Sequence, residues 1–288
     1  MTDAMAPAPI ADAETAKTLL AGLDRAARRW ETPCGEGTMV WRGWGSGPAV
    51  LLVHGGAGSW RHWVRNLSAL SRDHTVIAPD LPGLGDSARA PEPISAESVE
   101  ALVGQGLDTI LPAQVPLHVA GFSYGGVIAG VFAANAGARI RSLTLIGTGG
   151  LGPPNRSVEL VKVRDKVGAE RLAAHRENLL RMMLADQANV DALALEVQEK
   201  NSERARLNSG FMWMSRVLHD ALPRVHGHVH GFWGEHEMAD RAMLEARIAL
   251  LRQARPDVAI EIIPQAGHWS FYEAAEHFNA AFLRILAT

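Results

Sequence analysis

Hydrophobic positions near the start of the chain recur at helical spacing. After a Pro/Ala-rich beginning, the run from about Asp12 sets Leu19, Leu20, Leu23, Ala27 and Trp30 on one face, which predicts an amphipathic helix. Two short extended stretches follow, Gly37–Arg42 and Ala49–His54, separated by the turn-rich GWGSGP; they read as a hairpin leading into a sheet. Beyond Val53 apolar runs alternate with helical patterns: a helix near 60–70, a strand at 74–78, a helix at 96–111, a strand at 117–120, a helix at 125–136 and a strand at 140–146. That alternation predicts βαβ units and a parallel sheet.

The rhythm breaks between Leu151 and Pro223, where strand-like runs vanish and Arg, Glu, Leu, Ala and Met recur at helical spacing. It resumes with a strand at 226–233, a helix at 239–253, a strand at 258–263 and a helix at 271–286. The expected division is therefore an N-terminal helical extension (1–30), an α/β core (31–150 and 223–288) and a helical insertion (151–222). No internal repeat is present.

Composition narrows the function. With 288 residues, 47% hydrophobic and 20% charged, the chain can bury a full core. A net charge of −3 provides no basic excess for nucleic acid, so the expected partner is a small molecule, with homodimerisation left open. The single cysteine, Cys34, cannot form an intramolecular disulfide; the N-terminus lacks a secretory pattern, and no apolar run is long enough to span a bilayer. These features predict a cytoplasmic protein without a membrane role.

The chemistry concentrates in a few segments. Gly121-Phe122-Ser123-Tyr124-Gly125 matches G-x-S-x-G between an apolar strand and a helix. Small residues there permit a strained turn that lifts the Ser123 hydroxyl above the sheet as a nucleophile. A serine needs a base, and His268 follows a strand in the loop PQAGHWS, in the expected order of serine, acid, histidine. The acid falls in GEHEMAD, where Glu237 is the first choice and Asp240 the alternative, with Glu235 also nearby. The turn His54-Gly55-Gly56-Ala57-Gly58 can aim a backbone N–H at an oxyanion, so Gly56 and Tyr124 are the expected donors, and His54 is read as a buried structural imidazole. His226, His228 and His230 share a strand face, but the strand is expected to be central and covered. No carboxylate or cysteine completes a set, so no metal is expected. No phosphate-binding or dinucleotide motif occurs, and no cofactor is expected. Phe122, Trp269, Met182 and Met212 are the candidate pocket residues.

With HGGAG, PDLPGLGDS, GFSYGG, WGEHE and AGHW placed, the chain resembles the α/β-hydrolase superfamily from about Trp41 onward. The resemblance implies an eight-stranded, mostly parallel sheet, a triad of Ser123, Glu237 and His268, oxyanion donors at Gly56 and Tyr124, and a helical cap over the site. GTGGLGPP, LLRMML and GHWSFYEAAEHFN look like the carbon–carbon bond hydrolases that act on aromatic ring-fission products, and like related carboxylesterases. Those carbon–carbon hydrolases usually have Asn before the nucleophile, where this chain has Phe122. They also carry a cap arginine, absent from LEVQEKN here; Arg176, Arg181, Arg204 and Arg206 are the nearby candidates. Serine at 123 argues against the aspartate chemistry of dehalogenases and epoxide hydrolases. Three functions are therefore weighed: hydrolysis of a small apolar ester or lactone, carbon–carbon hydrolysis, and ligand binding without turnover.

Overall fold

A computed structural model of the chain describes residues 9–153, 158–237 and 241–288. Its centre is an eight-stranded sheet in the order β1-β2-β4-β3-β5-β6-β7-β8, from β1 (Arg28–Cys34), β2 (Gly37–Trp44), β3 (Ala49–Val53), β4 (Thr75–Pro79), β5 (Leu117–Phe122), β6 (Ile140–Ile146), β7 (His228–Gly234) and β8 (Ala259–Ile263). Only β1–β2 and β2–β4 pair antiparallel; every other pairing is parallel. The central parallel strands β3 and β5 are covered on both faces, and for this reason β3 reads AVLLV with all five residues buried rather than alternating.

Helices cover the two faces. In chain order they are α1 (Ala13–Ala26), α2 (Leu67–Leu70), α3 (Ala96–Ile110), α4 (Tyr124–Asn135), α5 (Gly168–Asn178), α6 (Ala192–Glu203), α7 (Gly210–Trp213), α8 (Val217–Ala221), α9 (Arg241–Ala254), α10 (Ser270–Glu273) and α11 (Ala275–Leu286). One buried cluster joins α3, α4, α8 and α9 to the sheet, and a second joins α2, α6, α10 and α11 to the other face. All of the described secondary structure between β6 and β7 is helical. Among the described residues no helix is long and apolar enough to cross a membrane.

The hairpin lies one strand earlier than its pattern predicts. The N-terminal helix stops at Ala26, and Trp30 sits on edge strand β1 opposite Trp41. β3 does not pair with β2, because β4 lies between them. The histidine strand differs too: β7 is next to the edge rather than central, His226 precedes it, and His226 and His228 are exposed.

The turn leading to the site is held by buried charge. Arg42, with its side chain only 2% exposed, bonds three carboxylates, Asp24, Asp80 and Asp86. Asp80 also accepts the N–H groups of Trp60 and Asp86. Removing Asp80, the fully buried partner, costs about 3–5 kcal/mol because it leaves an uncompensated buried charge. Trp60 opens the short helical turn Trp60–Trp63, so this network fixes a segment that packs directly beneath the candidate site.

Candidate active site

The chain turns sharply where β5 runs into α4. Ser123 lies between them at φ 52° and ψ −117°, a backbone region that L-residues rarely occupy. Two bonds secure it: Ser123 N–H donates to Ile146 O at 2.8 Å, and Gly126 N–H to Ser123 O at 3.0 Å. Gly125 is required by close approach, since a Cβ there would run into the carbonyl oxygens of Val53 and His54. The motif thus brings α4 against β3 and leaves Ser123 at the carboxyl edge of the sheet, where such folds place their ligands.

Ser123 and His268 line one cavity of about 430 Å³. His268 follows β8, and its Nδ1 is 2.6 Å from Glu237 Oε1 at the end of β7. Both residues are buried, at 3% and 4% exposure. The Phe122 ring centroid lies 4.8 Å from that of His268, packing the imidazole from the strand side. At Gly147 a Cβ would stand 2.8 Å from His268 Nδ1, so its missing side chain leaves room for the pair. Asp240, the alternative acid, lies outside the described residues; Glu235 accepts the N–H of Gln265.

The loop after β3 supplies the opposite wall. His54 accepts the Leu81 N–H at Nε2, 2.9 Å away, which leaves Nδ1 to donate to Gly55 O at 2.8 Å. Burial pushes His54 below the ordinary histidine range and His62 well below it, so both are neutral near pH 7. Neutral His62 accepts the Gly55 N–H at Nδ1. Two uncharged imidazoles therefore set the position of the Gly55-Gly56 turn without placing a cation beside the cavity.

Gly56 and Tyr124 both line the cavity. An ideal Cβ on Gly56 would lie 2.6 Å from Ser209 Oγ and 3.7 Å from Tyr124 Cβ. The hydroxyl of Ser209, which has no hydrogen-bond partner among the described residues, thus sits in the notch over Gly56. Ser209 arrives from the helical segment between β6 and β7 and carried no motif in the sequence; only the fold brings it to Gly56.

Of the four expected pocket residues, Phe122 and Met182 line the cavity and two do not. Trp269 is fully buried behind His268, stacked on Tyr272 at 4.1 Å and donating its indole N–H to His62 O. Met212 turns into the core cluster beneath α4 while its neighbour Trp213 faces the cavity. Met183, Leu160, Leu207 and Asn208 complete much of the wall. None of the four arginines reaches it: Arg181 pairs with Glu177, Arg204 with Asp86, Arg206 donates to the Gly85 and Ser87 carbonyls, and Arg176 is absent from the lining. Among the described residues that line the cavity there is no Arg or Lys.

The chain belongs to the alpha/beta hydrolase family, whose model matches residues 50–281. It is 28% identical over 260 residues to a 2-hydroxy-6-oxo-6-phenylhexa-2,4-dienoate hydrolase from Burkholderia cepacia, covering 84% of this chain and 89% of that protein. It is 29% identical over 260 residues to a dihydrolipoyllysine-residue acetyltransferase component of an acetoin cleaving system from Pseudomonas putida, covering 90% of this chain but only 66% of that protein's length. Among solved structures, an enol-lactonase from Burkholderia xenovorans superposes with a TM-score of 0.71 at 19% identity, covering 90% of this chain and 100% of that one. A meta-cleavage product hydrolase from Pseudomonas fluorescens gives 0.66 at 20% identity, covering 87% and 94%. Both likenesses establish the shared fold, including the mostly parallel eight-stranded sheet.

Proposed function

We propose that this α/β-family hydrolase cleaves a small, largely apolar ester or lactone through an acyl-enzyme on Ser123. His268 takes the hydroxyl proton as Ser123 Oγ attacks the carbonyl carbon, and Glu237 holds the imidazole through its Nδ1–H. The backbone N–H groups of Gly56 and Tyr124 receive the oxyanion, a donor of this kind being worth roughly 2.7–4 kcal/mol. When the tetrahedral intermediate collapses, the alkoxide leaves with the proton from His268. A water then attacks the acyl carbon by the same route, releasing acid and restoring Ser123. The helical segment at 151–222 acts as a cap that brings Met182, Leu207, Ser209 and Trp213 over the reacting bond.

The observation that carries this reading is the lining of the cavity: apolar side chains with a few neutral polar groups and, among the described residues, no cation. Burial of an acyl or alcohol chain there contributes about 0.8 kcal/mol per methylene. A dienoate brings a carboxylate, and enclosing it without a paired cation costs several kcal/mol.

Carbon–carbon hydrolysis is the second reading, favoured by the 28% identity to the dienoate hydrolase of Burkholderia cepacia. The enol-lactonase neighbour points back toward an ester bond. About a third of the acetoin-system component has no counterpart in this chain, so its transferase activity is not carried over. Specificity constants measured side by side on p-nitrophenyl butyrate and a 6-phenyl ring-fission dienoate separate the two. The ester should be preferred by at least tenfold; a dienoate preferred by orders of magnitude would overturn the ester reading.

A further inference from the structure

We propose that a second cleft, about 580 Å³ in volume and sharing no lining residue with the cavity at Ser123, binds a phosphate group at the seam between the sheet and the helical segment. Its walls come from separate elements: Arg42 from β2, Arg61 from the turn at 60–63, and Arg204 and Arg206 from the end of α6 and the loop beyond it.

The charges there are not evenly matched. Arg42 pairs with Asp24, Asp80 and Asp86, and Arg204 shares Asp86. Arg29, at the rim, pairs with Glu31. Among the described residues, two guanidiniums of the cleft have no carboxylate partner. The Arg206 guanidinium donates to the carbonyls of Gly85 and Ser87, and that of Arg61 makes a long 3.5 Å approach to Ser59 Oγ. Arg61 is half-buried over the Trp60 ring; burial and the charges of Arg42 and Arg204 oppose its own charge, while Asp80 and Asp24 support it from beyond ion-pair distance. An anion entering the cleft gives this partly desolvated cation a direct partner.

Geometry favours phosphate over carboxylate. A carboxylate offers two coplanar oxygens, suited to one guanidinium fork, whereas phosphate presents oxygens in several directions and a second charge. Arg61, from the turn at 60–63, and Arg206, from the loop beyond α6, line the same cleft, and the proposed phosphate takes donors from both. The carboxylates of Asp24 and Asp86 also line the cleft, but both are already engaged by arginine.

Occupancy would also bear on the loop at 204–210. At one end that loop carries Arg204 and Arg206; at the other, Leu207, Asn208, Ser209 and Gly210 line the cavity beside Ser123. Arg206 N–H donates to Gly83 O, so the loop already rests on the sheet side at this point. A phosphate group bridging Arg61 and Arg206 fastens it further.

Calorimetric titration with inorganic phosphate, glycerol phosphate and citrate, at an ionic strength fixed with sodium chloride, tests the site. Inorganic phosphate should bind and slow amide exchange at 204–210, and tighter binding of glycerol phosphate would identify a phosphorylated small molecule as its natural source. Arg61→Gln and Arg206→Gln should each weaken binding at least tenfold, Arg61→Lys should fall between, and Arg284→Gln, on α11 outside the cleft, should change nothing. Undiminished binding in both glutamine variants, or tighter binding of citrate than of either phosphate, would overturn the proposal. Because no step involves Ser123, the outcome is independent of the hydrolytic reading.

Discussion

His268 and Glu237 lie 31 positions apart in sequence and meet at 2.6 Å, Nδ1 to Oε1, at the ends of the neighbouring strands β8 and β7. A buried carboxylate against Nδ1 leaves Nε2 as the nitrogen that faces a substrate proton. Glu237→Gln preserves the shape but permits the wrong tautomer, so kcat should fall on the order of 10³- to 10⁴-fold. Glu235→Gln, which keeps an oxygen to accept the Gln265 N–H, should stay within about threefold of the parent in the same steady-state assay. Equal damage from both substitutions would remove Glu237 from the assigned role.

Ser209 and Gly56 form a second testable pair, because the Ser209 hydroxyl stands where a Gly56 side chain would, beside the proposed oxyanion donor. Ser209→Ala should lower kcat by about tenfold, the modest loss expected of one neutral hydroxyl near developing charge. Gly56→Ala places a methyl where the Ser209 hydroxyl stands and should cost at least as much. The double variant should be no worse than Gly56→Ala alone, since the clash and the hydroxyl disappear together. Strictly multiplicative losses would show that the two positions act independently.

Stability should fall with pH in a defined window. His118 on β5 is buried, its Nδ1 2.8 Å from Ser142 Oγ, and burial pushes its pKa down to about 4 from an ordinary 6.5. Between those values the unfolded chain binds a proton that the folded site refuses, so stability declines as pH drops from 6.5 toward 4. Above 6.5 the group contributes no slope. Urea midpoints at pH 7.0 and 5.0 should differ in the parent, and His118→Asn should narrow that difference. Buried His54 and His62 shift in the same direction and will keep part of it. An unchanged difference in the variant would remove His118 as a cause.

The parts of this molecule that were legible in the sequence are those set by local pattern. The alternation after Val53, the elbow at Ser123 and the loop placement of His268 depend on periodicity and on small residues flanking a turn. The hairpin's true place is hidden because Trp30 continues the helical spacing of Leu20 and Leu23, while its actual neighbour is Trp41 across an antiparallel pair. Insertion of β4 between β2 and β3 is a long-range pairing with no local signal. In the helical segment, turns as short as Gly210–Trp213 have too few residues to define a face, so the pattern does not show that Trp213 rather than Met212 faces the cavity. Ser209 is silent for a related reason: a polar loop residue becomes informative only when the fold sets it against Gly56. Trp269 is adjacent to His268 in sequence, but its indole holds the His62 turn from behind.

The most direct measurement is the intact mass of the protein after reaction with a fluorophosphonate, with the labelled peptide mapped. One equivalent should attach to Ser123 in the parent, and none to Ser123→Ala, which should remain folded by circular dichroism because the elbow accommodates the smaller side chain. Loss of label should accompany loss of p-nitrophenyl ester turnover. Labelling that persists in Ser123→Ala, or ester hydrolysis that survives it at the parent rate, would contradict an acyl-enzyme on Ser123.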